Sequence, residues 1–336
     1  MGSNPWSWLG TRQADVRHRI LVVGTGRCGT TALTELLGTH PEIYSPPAET
    51  HLLCDPDGLE DLVDALTDRY TTERAYLALS RFRTLATDTL CGRSRDIYQM
   101  WHLDRDLGQV RYHHLVDRLV DLLTWYVYDE VVPTWAPPRH DGTAYDHAPV
   151  HRQVGRYFPD RAVLVKILGG WFDELLGGAA AEHAKSGWCE KTPLNLLSLP
   201  FVWELFPDAA VVHITRDPRG VAWSHTRQPW APHNLDDALS FLEPTYRRWL
   251  ALCNDIDLHQ HAYVQVRAED LADNWSRGRA ALLARLGLAD APLGGRFESE
   301  RLNLWRDEMP IDQVHRVEER LGELITAMGY NSTSRP

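Results

Sequence analysis

The chemistry of this chain starts at a glycine-spaced turn. Gly24 and Gly29 bracket Thr25-Gly26-Arg27-Cys28, and Thr30-Thr31 follow directly. Glycines at this spacing let successive backbone N–H groups converge on one anion, and the start of a following helix adds positive potential. A plain packing turn between a strand and a helix would use the same glycines. Loops that hydrolyse nucleoside triphosphates read G-x4-G-K-[ST], with the lysine on the outer phosphates and the hydroxyl on magnesium. Here the lysine position is Thr30. A loop that cradles phosphate without that lysine suits a nucleotide lacking a γ-phosphate, with Arg27 supplying charge from the side.

The turn needs a strand before it and a helix after it. Arg19-Ile20-Leu21-Val22-Val23 is an apolar run of the kind buried on both faces, and Ala32-Leu33-Thr34-Glu35-Leu36-Leu37 has helical spacing. Strand, glycine turn and helix open a nucleotide-binding α/β unit. Three later runs, 162–167, 210–214 and 262–266, share the buried-strand character. Helical patterns lie between them, such as 235–253 behind an Asn234 cap. The expected fold class is therefore α/β: a P-loop-like parallel β-sheet flanked by helices, in a single domain over 1–336. Residues 55–160 lack such runs and show helical periodicities at 59–66 and 115–123, followed by the Pro-containing stretch 132–138. They read as a mostly helical insertion covering the site and forming an acceptor pocket. Lys166, at the end of the 162–167 run, either lines that pocket or makes an ordinary ion pair.

Composition narrows the partners. With 35 Lys and Arg against 46 Asp and Glu the net charge is −11, which argues against a protein built to grip nucleic acid. The hydrophobic content of 43% can fill a core. The five cysteines are scattered without a C-x-x-C pair, so neither a disulfide framework nor a zinc knuckle is expected, and a reducing, cytoplasmic compartment fits. No secretion signal is recognisable, and the apolar run 119–128 is too short for a membrane span.

The residues of the turn carry a resemblance. Arg27-Cys28-Gly29-Thr30-Thr31, followed by Leu36-Leu37 and His40-Pro41, resembles the 5′-phosphosulfate loop of the sulfotransferase superfamily, in the branch of tyrosylprotein sulfotransferases and many bacterial enzymes. Members use 3′-phosphoadenosine 5′-phosphosulfate (PAPS) as donor and release 3′-phosphoadenosine 5′-phosphate (PAP). Ile214-Thr215-Arg216-Asp217-Pro218-Arg219 through Ser224 is similar to the family's 3′-phosphate motif, an Arg and a Ser with seven residues between them. An arginine at a strand end offers a planar fork for phosphate. Trp188-Cys189-Glu190-Lys191-Thr192-Pro193 resembles the E-K-[ST]-P segment found between the two motifs. Leu304-Trp305-Arg306, Leu321-Gly322 and Met328-Gly329-Tyr330 resemble the C-terminal pattern of the bacterial branch. The likeness touches 20–53, 188–228 and 265–330, and leaves the insertion untouched.

The resemblance implies an enzyme moving a sulfuryl group in line to a hydroxyl of a small-molecule acceptor: a natural product, lipid or glycan. It implies Glu49 as general base, Lys191 as the cation at the bridging oxygen, and Arg27, Cys28, Gly29, Thr30 and Thr31 around the 5′-phosphosulfate. Arg216 and Ser224 would take the 3′-phosphate, and no metal is needed. His51 is the rival base, since cytosolic relatives employ a histidine; otherwise it is a supporting or acceptor contact. Glu190 would orient Lys191 or cap a helix. The sequence departs from relatives at Ala32, where cytosolic members stack adenine on Trp, at Ala268 before Glu269-Asp270, and at Leu304. Trp223 and Trp305 are the remaining candidates for an adenine platform.

Other features carry less. His113-His114 and Asp55-Pro56-Asp57-Gly58 lack metal-site spacing and read as surface and capping groups. Cys28 at a helix start is either an activated thiol or a small residue for close backbone approach. Two other classes compete: a P-loop kinase-like phosphotransferase, disfavoured by Thr30, and a non-catalytic adenine-nucleotide-binding protein, which would not need Glu49 or Lys191.

Overall fold

The computed structural model describes residues 16–94, 101–131, 137, 139–143, 149–298, 300 and 302–331. Most of the Pro-containing stretch, 132–136 and 138, lies outside the described residues. The chain divides into two compact units, Met1–Thr50 with Leu176–Pro336, and His51–Leu175. The first opens with β1 (His18–Val23), α1 (Thr30–Gly38) and β2 (Ile43–Tyr44). The second contains α2 (Leu59–Leu66), α3 (Thr72–Thr84), α4 (Leu103–Asp106), α5 (Gln109–Leu123), β3 (Thr124–Glu130) and β4 (Val150–Gly155). The division falls within α6 (Arg161–Glu182). The first unit then resumes with β5 (Gly187–Glu190), α7 (Leu199–Leu205), β6 (Ala210–Thr215), α8 (Pro218–His225) and α9 (Leu235–Asp255). It ends with β7 (Tyr263–Arg267), α10 (Ala268–Asp273), α11 (Trp275–Arg285), α12 (Leu304–Glu308) and α13 (Ile311–Ala327).

Among the described residues the first unit holds one five-stranded sheet, ordered β2-β5-β1-β6-β7 and parallel throughout. Alternate residues of β1 serve opposite faces. Ile20 and Val22 join Leu33, Leu37, Val212, Ile214, Leu282 and Leu283 in one core layer, while Leu21 and Val23 are equally buried. This double burial explains the unbroken apolar run. A second core packs α8, α9, α12 and α13 through Val221, Leu239, Tyr246, Trp305, Val317 and Leu321. Asn234 caps α9 as expected, its side chain accepting from the Asp237 N–H.

One expectation is corrected. The run 162–167 lies inside α6 and is no strand. Buried Leu164, Val165 and Leu168 continue to Trp171, Phe172 and Leu175 at three- and four-residue spacing, so the helical period prevails over the β-branched hexapeptide. Lys166 is an exposed helical residue. The second unit is mostly helical and adds one ribbon, β3 and β4 paired antiparallel, with Tyr126 opposite Val154 and Glu130 opposite Val150. Thr124-Trp125-Tyr126-Val127-Tyr128 is rich in β-formers, and these aromatics stay exposed rather than entering a core.

Candidate active site

The sheet order places three loops side by side. β1 is central, with β5 on one flank and β6 on the other, and the register pairs Leu21 with Glu190 and Val23 with His213. The carboxyl ends of these strands therefore deliver the glycine turn, Lys191 and Arg216 to one edge of the sheet, where open α/β sheets bind ligands. The Gly24 N–H donates to the Pro193 carbonyl at 3.0 Å, tying the start of the turn to the segment that follows Lys191.

The turn itself is left-handed at three residues: Gly26 (φ 82°), Arg27 (φ 51°) and Gly29 (φ 102°). A side chain at Gly29 would be strained by its φ, and its Cβ would stand 2.6 Å from the Phe297 ring. Gly29 precedes α1 without any side-chain cap, and the first turn of α1 has no acidic residue. A helix start without either group is suited to an external anion. Thr30 is buried, whereas Arg27 and Thr31 are exposed. Burial pushes the Cys28 thiol up to about 11, which favours the small-residue reading of Cys28 over the activated thiol.

Lys191 joins two of the sequence-identified residues. Its Nζ lies 2.7 Å from Glu49 Oε1 and donates to Thr31 Oγ1 at 3.2 Å. Beneath this pair sits Glu190, fully buried. Glu190 Oε1 accepts from Thr50 Oγ1 at 2.8 Å and Thr192 Oγ1 at 2.6 Å, and Oε2 accepts from Asn195 Nδ2 at 3.1 Å. One carboxylate therefore grips the residue after Glu49 and the residue after Lys191, which sets the separation of the reactive pair. Burial raises its pKa, opposed by the hydrogen bonds from Thr192 and Thr50. Glu190 was recognisable only as part of a motif; nothing in the sequence marked Thr50 or Asn195 as its partners.

The structure also brings Arg27 and Ser224 together, Nε donating to Oγ at 3.2 Å. Arg216 is buried, and its guanidinium donates to the Arg27 carbonyl at 3.0 Å and the Leu302 carbonyl at 2.8 Å. Desolvation lowers its pKa, which the nearby Glu269 counteracts. Asp217 accepts from the Arg219 N–H at the head of α8 and grips the Arg219 guanidinium with both oxygens, at 2.9 and 2.7 Å. Arg219 also donates to Glu318 at 2.6 Å. The guanidinium groups of Arg219 and Arg306 lie 4.6 and 4.8 Å from the centre of the Trp305 ring, which is 2% exposed. Trp305 is therefore a core residue and cannot serve as an adenine platform. Trp223 has Arg227 at 5.1 Å from its ring centre and donates to Glu308.

His51 begins the second unit, with a left-handed φ of 52°, its Nδ1 3.1 Å from Asp55 Oδ1 and its ring edge-on to Trp101. Elsewhere in that unit Cys91, Asp104 and His113 bring potential ligand atoms within 4.8 Å of one another. The Arg93 guanidinium already stands 3.5 Å from Asp104 Oδ2 and 3.4 Å from His113 Nε2, so the buried negative charge is compensated without a metal.

At the carboxyl edge of the parallel sheet, the glycine turn of the central strand thus stands beside a lysine–glutamate pair. Residues 19–292 match the family model described as "Sulfotransferase family", and the chain belongs to that family. Its fold is similar to that of the sulfotransferase domain from the curacin biosynthetic pathway, with a TM-score of 0.51 and 13% identity over 94% of this chain and 98% of that one. It is equally similar to the sulfotransferase domain of the Synechococcus PCC 7002 olefin synthase, with a TM-score of 0.51 and 16% identity over 94% and 96%. No curated protein sequence matches the chain. Among the described residues no helix is long and apolar enough to cross a membrane.

Proposed function

We propose that this chain transfers the sulfuryl group of PAPS to a hydroxyl of a small-molecule acceptor, a natural product, lipid or glycan, without a metal. The observation that carries the reading is the position of Lys191, bonded at once to Glu49 and to Thr31 of the open turn. In the transfer, the acceptor oxygen forms a bond to sulfur as the bond from sulfur to the bridging phosphate oxygen breaks. Glu49 takes the acceptor proton, and Lys191 faces the negative charge that grows on the leaving phosphate. A cation preorganised at that oxygen acts only as the bond breaks, which makes it a transition-state interaction.

Arg27, Thr30, Thr31 and the N–H groups from Cys28 to Thr31 are assigned to the 5′-phosphosulfate, and Arg216 and Ser224 to the 3′-phosphate. His51, two residues along from Glu49, is assigned to the acceptor, and the insertion at 55–160 to acceptor choice. The cytoplasm is the proposed compartment, in keeping with the free thiols of Cys28, Cys91, Cys189 and Cys253.

Thermal unfolding with PAP, AMP, ADP and ATP–magnesium tests the donor. A ligand at about a hundred times its Kd stabilises the folded form by about 2.7 kcal/mol. PAP is expected to raise the melting temperature and AMP to leave it nearly unchanged, with sulfated product then sought from PAPS and a panel of hydroxyl acceptors. A shift with ATP–magnesium alone would replace this reading with a kinase-like one.

A further inference from the structure

His225, the last residue of α8, has no place in the assignments above, yet it is 1% exposed and neither ring nitrogen has a hydrogen-bond partner among the described residues. Buried polar atoms are ordinarily paired, and those left open in a folded chain are found where something else completes them. Two sides of the imidazole are closed by rings that offer no acceptor in their plane: Trp230, edge-on at 5.8 Å, and Phe241 at 5.4 Å. Nε2 faces the glycine turn. A Cβ built on Gly26 would stand 3.8 Å from it, an ordinary contact, with no other described atom beyond the glycine's chain neighbours within 4 Å, so the glycine leaves room for one heavy atom beside the ring. Gly26 and Arg27 are both left-handed, and the next residue back along α8 is Ser224, already bonded to Arg27.

Burial, and secondarily the charge of Arg27, pull the imidazole pKa down to about 4. The ring is therefore neutral near pH 7 and offers one N–H donor and one acceptor. A neutral N–H donor beside a phosphate-binding turn supplies direction without adding charge.

We propose that His225 is a donor-binding residue whose Nε2–H donates to a phosphoryl oxygen of the nucleotide held between the Gly26-Arg27 turn and Ser224. The inference rests on the donor assignment made above and adds to it a contact that the family motifs do not include. Both phosphates of the nucleotide offer the same chemistry, so the ligands are chosen to separate them.

Affinities of wild type and His225→Phe for PAP, adenosine 5′-phosphate and adenosine 3′-phosphate, measured by calorimetry, test it. Phenylalanine keeps the packing against Trp230 and Phe241 and removes both nitrogens. The expected result is a loss of about tenfold or more in PAP affinity, the scale of one hydrogen bond to a charged group. The unliganded variant should melt at or above the wild-type temperature, since two unpartnered polar atoms are gone. A loss shared with adenosine 5′-phosphate assigns the contact to the loop-bound phosphate, and one shared with adenosine 3′-phosphate assigns it to the Ser224 side. Equal PAP affinity in variant and wild type would overturn the proposal while leaving the donor assignment standing. Failure of the wild type to bind PAP would overturn both. Should the variant not fold, imidazole ¹⁵N resonances of the wild type decide: PAP is expected to shift and protect the His225 Nε2–H signal, and an unchanged signal refutes the contact.

Discussion

Two strand-to-helix turns meet at the same edge of the sheet and treat their helix ends in opposite ways. Between β1 and α1 the chain uses Gly26, Arg27 and Gly29 in left-handed conformations and leaves the helix start without a side-chain cap. Between β6 and α8 it places Asp217 as the cap and Pro218 in the first turn, and the Asp217 carboxylate also holds Arg219. On the proposed reading the first turn uses its N–H groups for an external anion. The second has already satisfied its own with an internal one, so it cannot bind phosphate through its helix end. What it offers instead is rigidity: Arg216 and Ser224 are held on either side of a buried ion-pair cluster. The same local geometry thus yields a binding loop in one place and a scaffold in the other, and the residue at the cap position decides which.

The largest effect is expected at the open turn. Glu49→Gln keeps the shape of the side chain and removes the base, and kcat should fall by about 10² to 10⁴ with PAP affinity little changed. A rise in KM with kcat unchanged would show that Glu49 only binds acceptor and that the chemistry lies elsewhere. At the closed turn the loss should appear in stability. Asp217→Ala uncaps α8 and leaves the buried Arg219 with Glu318 as its remaining carboxylate partner, for a cost of about 1–3 kcal/mol in chemical denaturation. Asp217→Asn, which retains an oxygen for the cap, should cost less. If Asp217→Ala instead left stability intact and lowered turnover directly, the division into binding loop and scaffold would be broken.

A further effect, small per pH unit, is one of pH. Buried histidines flank the closed turn: His213 in β6, its pKa pulled down to about 3 by burial, and His225 in α8, down to about 4. Unfolded, each titrates near 6.5. Below that pH the unfolded chain takes up protons that the folded chain refuses, so stability is present above pH about 6.5 and is lost as pH falls toward 4. The slope should approach about 1.4 kcal/mol per pH unit for each histidine. Denaturation curves of His213→Phe across this range should show the slope reduced by one histidine's share; an unchanged slope would remove His213 from the account.

Much of the donor side was legible because its chemistry is local. The glycines of the turn, Arg27 and Thr30-Thr31 are contiguous, and strand, turn and helix follow one another without long-range help. Residues 162–167 show the limit of such reading. Five apolar residues around one lysine look the same in a strand and in a buried helix, and only the continuation through Trp171 to Leu175 separates them. The β3–β4 ribbon was hidden for a related reason: its aromatics are exposed, so no burial pattern announced it.

The sequence by itself determined the class of fold, the glycine turn and the identity of the residues at the strand ends, because these depend on spacing along the chain and on local backbone conformation. It could name Glu49, Lys191 and Thr31 but not join them. Sheet order did that, by setting β5 next to β1, and Glu190 completed it by gripping Thr50 and Thr192 from within the core. Tertiary structure alone also turned His225 toward Gly26 and buried Trp305 beneath the Arg219 guanidinium. Contacts between residues far apart in the chain are set by packing and by the direction of side chains, neither of which any local pattern encodes.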